Sequence, residues 1–310
     1  MTPTHPIRID LSNIMFRQDG AAERLAGIRA ACDRYGFESG MQLHNTSTAE
    51  DIAAAVATGL PLTAHIPLLG DYQINLGTTQ MAPTWESMAQ SVAVMRRYGI
   101  TQAVVHGLVM TDLPIPAFGR GRSYDQAMQA ILRPEISLPG SRLCGDFFAL
   151  PEFAARCELV RNHLAEAKRL YPDIELLLEN DFPCYGAGNL FADCAAQLGC
   201  GLCLDSSHLW ASSFIFDRDF MTEAAAFLAT GRVRMVHLHA SKYTAATPKT
   251  AWGDGHLPLT TPNAMGLPEL VSRCRKADVR HFVLEIARSS AADIDCLAAM
   301  WAGEGGTYEP

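Results

Sequence analysis

The sequence lacks any apolar run close to the ~20 residues that a membrane-spanning helix needs. It also lacks an excess of basic residues, since its 310 residues carry a formal net charge of -8. A membrane partner is therefore not expected, and the charge gives no electrostatic signature of nucleic-acid binding. Charged residues make up only 19% of the chain and hydrophobic residues 48%, a balance that excludes a disordered chain and allows a large core.

Cysteine is present but lacks the pattern of a disulfide framework. The nine cysteines are an odd number without regular spacing, and secreted disulfide scaffolds are shorter and denser in cysteine. The first ten residues contain no apolar signal core. We expect a reduced, cytoplasmic protein.

Short apolar runs alternate with helix-like stretches along the chain. The predicted strands are Ile7–Leu11, Gly40–His44, Leu62–Ile66, Gln102–His106, Ile174–Glu179, Gly201–Asp205, Val233–His239 and His281–Ile286. The predicted helices cover 20–35, 48–58, 83–98, 152–170, 189–198, 219–230, 266–276 and 291–302. Eight such units predict an α/β fold, a (β/α)8 TIM barrel formed as one domain over residues 1–310. The competing open, doubly wound sheet would tend to have a glycine-rich phosphate loop, which the sequence lacks.

One connection of this barrel is much longer than the others. Residues 107–151, after the fourth strand, contain four prolines before Pro151 and the run Gly119-Arg120-Gly121-Arg122. Loops longer than ~15 residues are usually functional lids or disordered. We predict an inserted loop or lid with a short helix at about 123–132.

Chemically active side chains lie at or just after the carboxyl ends of the later strands. They are His65, His106, Glu179, Asp205, His208, His237, Asp254, His256 and Glu285. A lone histidine at a strand end is usually an ordinary core or surface residue, but carboxylates are rarely buried unless paired. Because a barrel gathers its strand ends around one mouth, these residues together predict a metal site, with donors that suit Zn²⁺, Mn²⁺ or Fe²⁺. His239 shares a strand face with His237 and is expected beside the ligands.

Several short motifs carry a resemblance to a known family over about residues 60–290. They are His65 with Tyr72-Gln-Ile-Asn-Leu-Gly77, Val105-His106, Leu178-Glu179-Asn180, Leu204-Asp205-Ser-Ser-His208, Val236-His237-Leu238, Gly253-Asp254-Gly255-His256 and Leu284-Glu285. In this order they resemble endonuclease IV (AP endonuclease family 2), which belongs to the superfamily of xylose-isomerase-like TIM barrels.

The resemblance implies a centre of up to three divalent ions, zinc being the first expectation and manganese or iron the alternatives. One ion would bind His65, His106 and Glu179. A second would bind Glu179, Asp205, His237 and Glu285. A third would bind His208, Asp254 and His256. Such clusters hydrolyse phosphate esters, and Glu179, Glu285 and His208 are the catalytic candidates.

Other activities of the same superfamily remain open. Asp254-Gly-His256-Leu-Pro also resembles a turn of sugar isomerases and epimerases, in which Glu179 and Glu285 would shuttle a proton beside one metal ion. A multinuclear iron oxygenase is a third alternative, because imidazole and carboxylate also suit iron. The long insertion favours a small-molecule substrate, phosphorylated or sugar-like, over duplex DNA.

Overall fold

The computed structural model describes residues 6–119 and 121–303. Eight parallel strands pair in sequence order, and the last pairs with the first, so the sheet closes into a barrel. The strands are β1 Arg8–Ser12, β2 Glu38–Leu43, β3 Leu62–His65, β4 Gln102–Val105, β5 Glu175–Glu179, β6 Gly201–Asp205, β7 Val233–His237 and β8 His281–Leu284. The predicted (β/α)8 fold is confirmed.

Helices lie between the strands. They are α1 Ala21–Tyr35, α2 Ala49–Ala57, α3 Met81–Arg97, α4 Tyr124–Met128, α5 Pro151–Leu170, α6 Ala192–Ala195, α7 Ser206–Ile215, α8 Phe220–Ala229, α9 Leu267–Lys276 and α10 Ala291–Ala302. No helix of the described residues is both long and apolar enough to cross a membrane.

Three details of the sequence prediction need correction. The helix expected at 189–198 is reduced to the four residues of α6. Helix α7 was not predicted at all, although it follows Asp205 directly. Pro151 is the first residue of α5, so the insertion after β4 ends at Leu150. The short helix expected near 123–132 is present as α4, followed by a 3-10 turn.

The barrel interior has an apolar layer directly beneath the predicted site. This layer is a buried cluster of Val104, Leu177, Cys203, Met235 and Val283. Side chains two residues apart on a strand point to the same face. The residues two positions further along are His106, Glu179, Asp205, His237 and Glu285. The period of the strands therefore directs these five side chains to the carboxyl mouth of the barrel.

The insertion 107–150 is hydrogen-bonded to two neighbouring loops. Against the loop that follows β3, the Gln73 amide donates to the Ile115 carbonyl at 2.8 Å, and the Ala117 amide donates to the Asp71 carbonyl at 2.8 Å. Against the loop that follows β5, the Met110 amide donates to the Gly186 carbonyl at 2.9 Å. These backbone contacts hold the insertion over one side of the mouth.

Candidate metal centre

Four groups of possible ligands have their donor atoms within 4.8 Å of one another. They are His65, His106 and Glu179; Glu179, Asp205, His237 and Glu285; His208, Asp254 and His256; and His239, His256 and Glu285. The first three groups are the sets predicted from the sequence, and all nine predicted residues lie at this mouth. Their action as metal ligands stays a prediction.

Glu179 lies between the first two groups. Its Oε2 is 3.3 Å from His65 Nε2, and its Oε1 is 2.8 Å from His237 Nδ1. The side chain is fully buried. Because its two oxygens face different histidines, this carboxylate has the position of a bridge between two cation sites.

The second group is the most buried. The Nδ1 atom of His237 is 3.3 Å from Glu285 Oε2 and 3.8 Å from Asp205 Oδ2. With Glu179, three carboxylates share one small volume that water barely reaches. Buried charges of one sign repel strongly unless a cation or a proton compensates them. The group therefore fits a divalent cation.

The third group converges on one oxygen atom. Asp254 Oδ2 is 3.0 Å from His208 Nε2 and 2.8 Å from His256 Nε2. The other nitrogen of each ring faces a backbone carbonyl. His208 Nδ1 lies 2.9 Å from the Asn180 carbonyl oxygen, and His256 Nδ1 lies 3.0 Å from the Glu285 carbonyl oxygen. A carbonyl only accepts, so both Nδ1 atoms carry the proton. This tautomer presents Nε2 to a metal, as in most histidine ligands.

His65 gives a test of whether the site fits a metal. Both of its ring nitrogens are buried and neither has a hydrogen-bond partner among the described residues. Burial lowers the pKa of His65 to about 4, which leaves the imidazole neutral at physiological pH. A neutral, buried imidazole without a hydrogen bond costs free energy in the metal-free protein and is the form that binds a metal ion. His65 therefore has the protonation state and the surroundings that a metal ligand needs.

Protonation differs among the other groups. Burial raises the pKa of Glu179, but the surrounding imidazoles outweigh it and hold that pKa below its usual value. Burial opposes the charged form of His106, yet Asp181 and Glu179 raise its pKa to about 9. Without a metal, the protonated ring of His106 therefore supplies positive charge beside the carboxylates of Glu179 and Asp181.

The sequence prediction missed two residues of the site. His44 directly follows β2, and its Nε2 is 3.2 Å from Glu285 Oε1. Asp181 follows Glu179 by two positions and contacts His106 Nδ1. Its other oxygen, Oδ2, is buried without a partner among the described residues. His44 is the last residue of the predicted strand Gly40–His44, so the rule that selected the other histidines could have found it.

His239 belongs to the fourth group but does not have a free ring nitrogen. Its Nδ1 accepts from the His256 backbone N–H at 2.9 Å, and its Nε2 lies 2.8 Å from Asp205 Oδ2. Both nitrogens are engaged, so we do not count it among the ligands. This agrees with the position beside the ligands expected from the sequence.

A cavity of about 400 Å³ opens onto these groups. Its lining combines the candidate ligands with apolar side chains of the insertion. The volume lies within the range of ~300–1,000 Å³ of small-molecule sites.

No protein-family model matches the chain, and no curated protein matches it. Several solved structures are similar to this chain. Endonuclease IV from Thermus thermophilus has a TM-score of 0.55 and 19% identity, over 97% of this chain and 100% of that chain. The TTHB071 protein of the same organism, soaked with zinc chloride, has a TM-score of 0.52 and 19% identity, over 96% of this chain and 99% of that chain.

A third similar structure is a D-tagatose 3-epimerase-like protein, with a TM-score of 0.53 and 11% identity over 89% of this chain and 88% of that chain. At these identities the similarity establishes the fold and not the reaction. The chain thus has the fold of the xylose-isomerase-like TIM barrels, as its motifs predicted.

Proposed function

We propose that this protein is a divalent-metal-dependent hydrolase that cleaves a phosphate ester of a small molecule. The observation that carries the proposal is the set of three adjoining ligand groups, two of which share Glu179. A one-metal enzyme would use only the group of Glu179, Asp205, His237 and Glu285. It would leave the unpaired His65 and the convergent pair of His208 and His256 without a function.

Each group would hold one ion, and zinc, manganese or iron suits the donors. Bound ions would supply hydroxide at neutral pH and stabilise charge on the attacking and leaving oxygens. The protein's own part is orientation. The carbonyls of Asn180 and Glu285 fix the rings of His208 and His256, and Ser207 Oγ donates to Asp254 Oδ1 at 2.7 Å.

Of the three catalytic candidates, Glu285 and His208 reach the cavity, whereas Glu179 is fully buried at the candidate metal centre. Glu285 is 2% exposed and lines the cavity with His208, so a substrate that enters meets both. His44 Nε2 contacts Glu285 Oε1 at 3.2 Å and limits the directions in which that carboxylate can turn. Glu285 is thus oriented to accept or return a proton at the substrate.

The second candidate is a sugar or sugar-phosphate isomerase or epimerase. The observation in its favour is that Glu179 and Glu285 approach the same nitrogen of His237, at 2.8 and 3.3 Å. Two carboxylates about one centre suit removal and return of a proton. A multinuclear iron oxygenase would use the same ligands with a different metal.

Metal content and activity of matched variants separate these functions. We expect about three ions per chain, one for each group, and hydrolysis of bis(4-nitrophenyl) phosphate that falls by about 100-fold in His208→Ala and His256→Ala. The control is His163→Ala, whose ring contacts the Leu76 carbonyl from helix α5, outside the site. One ion per chain, ketose proton exchange and full activity in His256→Ala would support the isomerase. Iron with oxygen uptake would support the oxygenase.

A further inference from the structure

The cavity next to the candidate metal centre has two kinds of wall. The predicted ligands come from the strand ends and from the segments that follow β6 and β7, whereas most of the apolar lining comes from the insertion. That apolar lining consists of Val109, Ile115, Phe118, Tyr124 and Met128 of the insertion, with Ile74, Phe182 and Ala187 from neighbouring loops. We propose that the site takes an aromatic phosphate ester, with its phosphate at the metal centre and its ring against this apolar wall. The inference rests on the proposed hydrolase function, because the metal centre must bind the phosphate.

The apolar wall is built before any ligand arrives. Val109, Ile115 and Met128 are at most 9% exposed and belong to one buried cluster. The Asn75 side-chain amide donates to the carbonyls of Val109 and Thr111 at 3.1 and 3.0 Å. The ring of Phe118 packs edge-on against that of Tyr124, with their centroids 5.1 Å apart. A ring that enters therefore meets a surface already in place, which keeps the ordering cost of binding low.

The wall has few groups that could bind hydroxyls or a second charge. Arg142 is the one lysine or arginine that lines the cavity within the described residues. It is paired with Asp125 and lies over the Tyr185 ring. A polyhydroxylated sugar placed against these apolar side chains would lose water from several hydroxyls, and Asn45 and Gln73 could pair with only some of them, which is unfavourable. An aromatic ring has no hydroxyls to dehydrate, and burial of its apolar surface stabilises the complex.

Two buried amide atoms indicate where a polar group of the ligand would lie. Asn45 and Gln73 line the cavity, and their buried atoms Asn45 Oδ1 and Gln73 Nε2 lack hydrogen-bond partners among the described residues. They offer one acceptor and one donor. Unpaired buried polar atoms are uncommon and costly, so these atoms support a ligand with a polar substituent in addition to its ring.

The test uses the zinc-loaded protein and phosphonates, whose carbon–phosphorus bond is not hydrolysed. Calorimetry would compare phenylphosphonate, methylphosphonate and 2,3-dihydroxypropylphosphonate. We expect phenylphosphonate to bind about 10-fold or more tightly than the other two. Phe118→Ala should remove most of this preference and leave the affinity for methylphosphonate unchanged. The control is Leu113→Ala, in the same insertion but 57% exposed, which should behave as wild type.

The possible outcomes distinguish the proposed aromatic preference from the proposed hydrolase function. If all three phosphonates bind the wild-type protein with equal affinity, the aromatic preference is wrong and the hydrolase proposal stands. If the dihydroxypropyl compound binds most tightly, the aromatic preference is also wrong. If zinc binds but no phosphonate does, both proposals are overturned. Because the wild-type comparison alone decides the first two cases, the test does not depend on how well the variant folds.

Discussion

His239 Nε2 lies 2.8 Å from Asp205 Oδ2. The opposite nitrogen, Nδ1, accepts a hydrogen bond from the His256 backbone N–H, so Nε2 carries the ring proton and donates it to the carboxylate. The ring also stacks on that of His256, with centroids 4.4 Å apart and planes 15° apart. His239 therefore connects the second ligand group with the third.

Replacing His239 should weaken metal binding without removing a ligand. Loss of the partner that orients a ligand costs about 10- to 100-fold in metal affinity, and we expect a loss of that size in His239→Ala. Competition with a chromophoric chelator would measure it. His239→Gln, which can still donate a hydrogen bond, should recover part of the loss. Unchanged affinity in His239→Ala would contradict the orienting role.

Metal binding should release protons. Burial opposes the imidazolium form of His256, but Asp254 raises its pKa to about 10, and that of His106 is about 9. Both rings are thus protonated in the metal-free protein near neutral pH and must lose a proton to bind a metal. Affinity should therefore increase as the pH is raised from about 6 to 9. Calorimetry in buffers of different ionisation enthalpy would detect the protons, and heats independent of the buffer would disprove the prediction.

The insertion approaches the loop after β2 at Gly119. A Cβ atom built there would be 2.6 Å from Thr46 Cβ, closer than packed carbons tolerate. Gly119 also has a φ of +75°, which glycine adopts without strain. We expect Gly119→Ala to lower the free energy of unfolding by more than the ~1 kcal/mol of a strained backbone alone.

Gly121 supplies the matched control for this substitution. Its φ is +88°, but no atom of the described part of the chain lies within 4 Å of a Cβ atom built there. Gly121→Ala should therefore show the backbone cost alone. Urea denaturation of both variants would measure the difference, and equal destabilisation would mean that the contact with Thr46 does not hold the insertion in place.

The strands and most of the site were predictable because the same pattern encodes both. Each later strand is an apolar run, and its inward-facing positions continue into a candidate ligand, as Leu177 does into Glu179 and Met235 into His237. The strands and the convergence of the candidate ligands therefore follow from the same two-residue repeat along each strand. The contact between His106 and Asp181 could not be predicted, because Asp181 lies in a loop whose path depends on the insertion.

Helix α7 was missed for a physical reason. Eight of its ten residues are buried, among them four serines, so it has no polar face and gives no amphipathic pattern. Its start is set by the Asp205 side chain, whose Oδ1 accepts from the His208 N–H at 2.8 Å. The same aspartate was recognised only as a candidate ligand. Asp205 therefore has two roles in the structure, as a helix cap and as a candidate metal ligand, and the sequence pattern indicated only the second.

Anomalous scattering from a crystal of the metal-loaded protein tests the central claim most directly. Data collected on both sides of the zinc absorption edge would give the number, the element and the positions of the ions. We predict a cluster at the barrel mouth, with one ion bound by Glu179, Asp205, His237 and Glu285 and further ions at the groups of His65 and of His208. The absence of any ion bound to Glu179 would contradict this prediction.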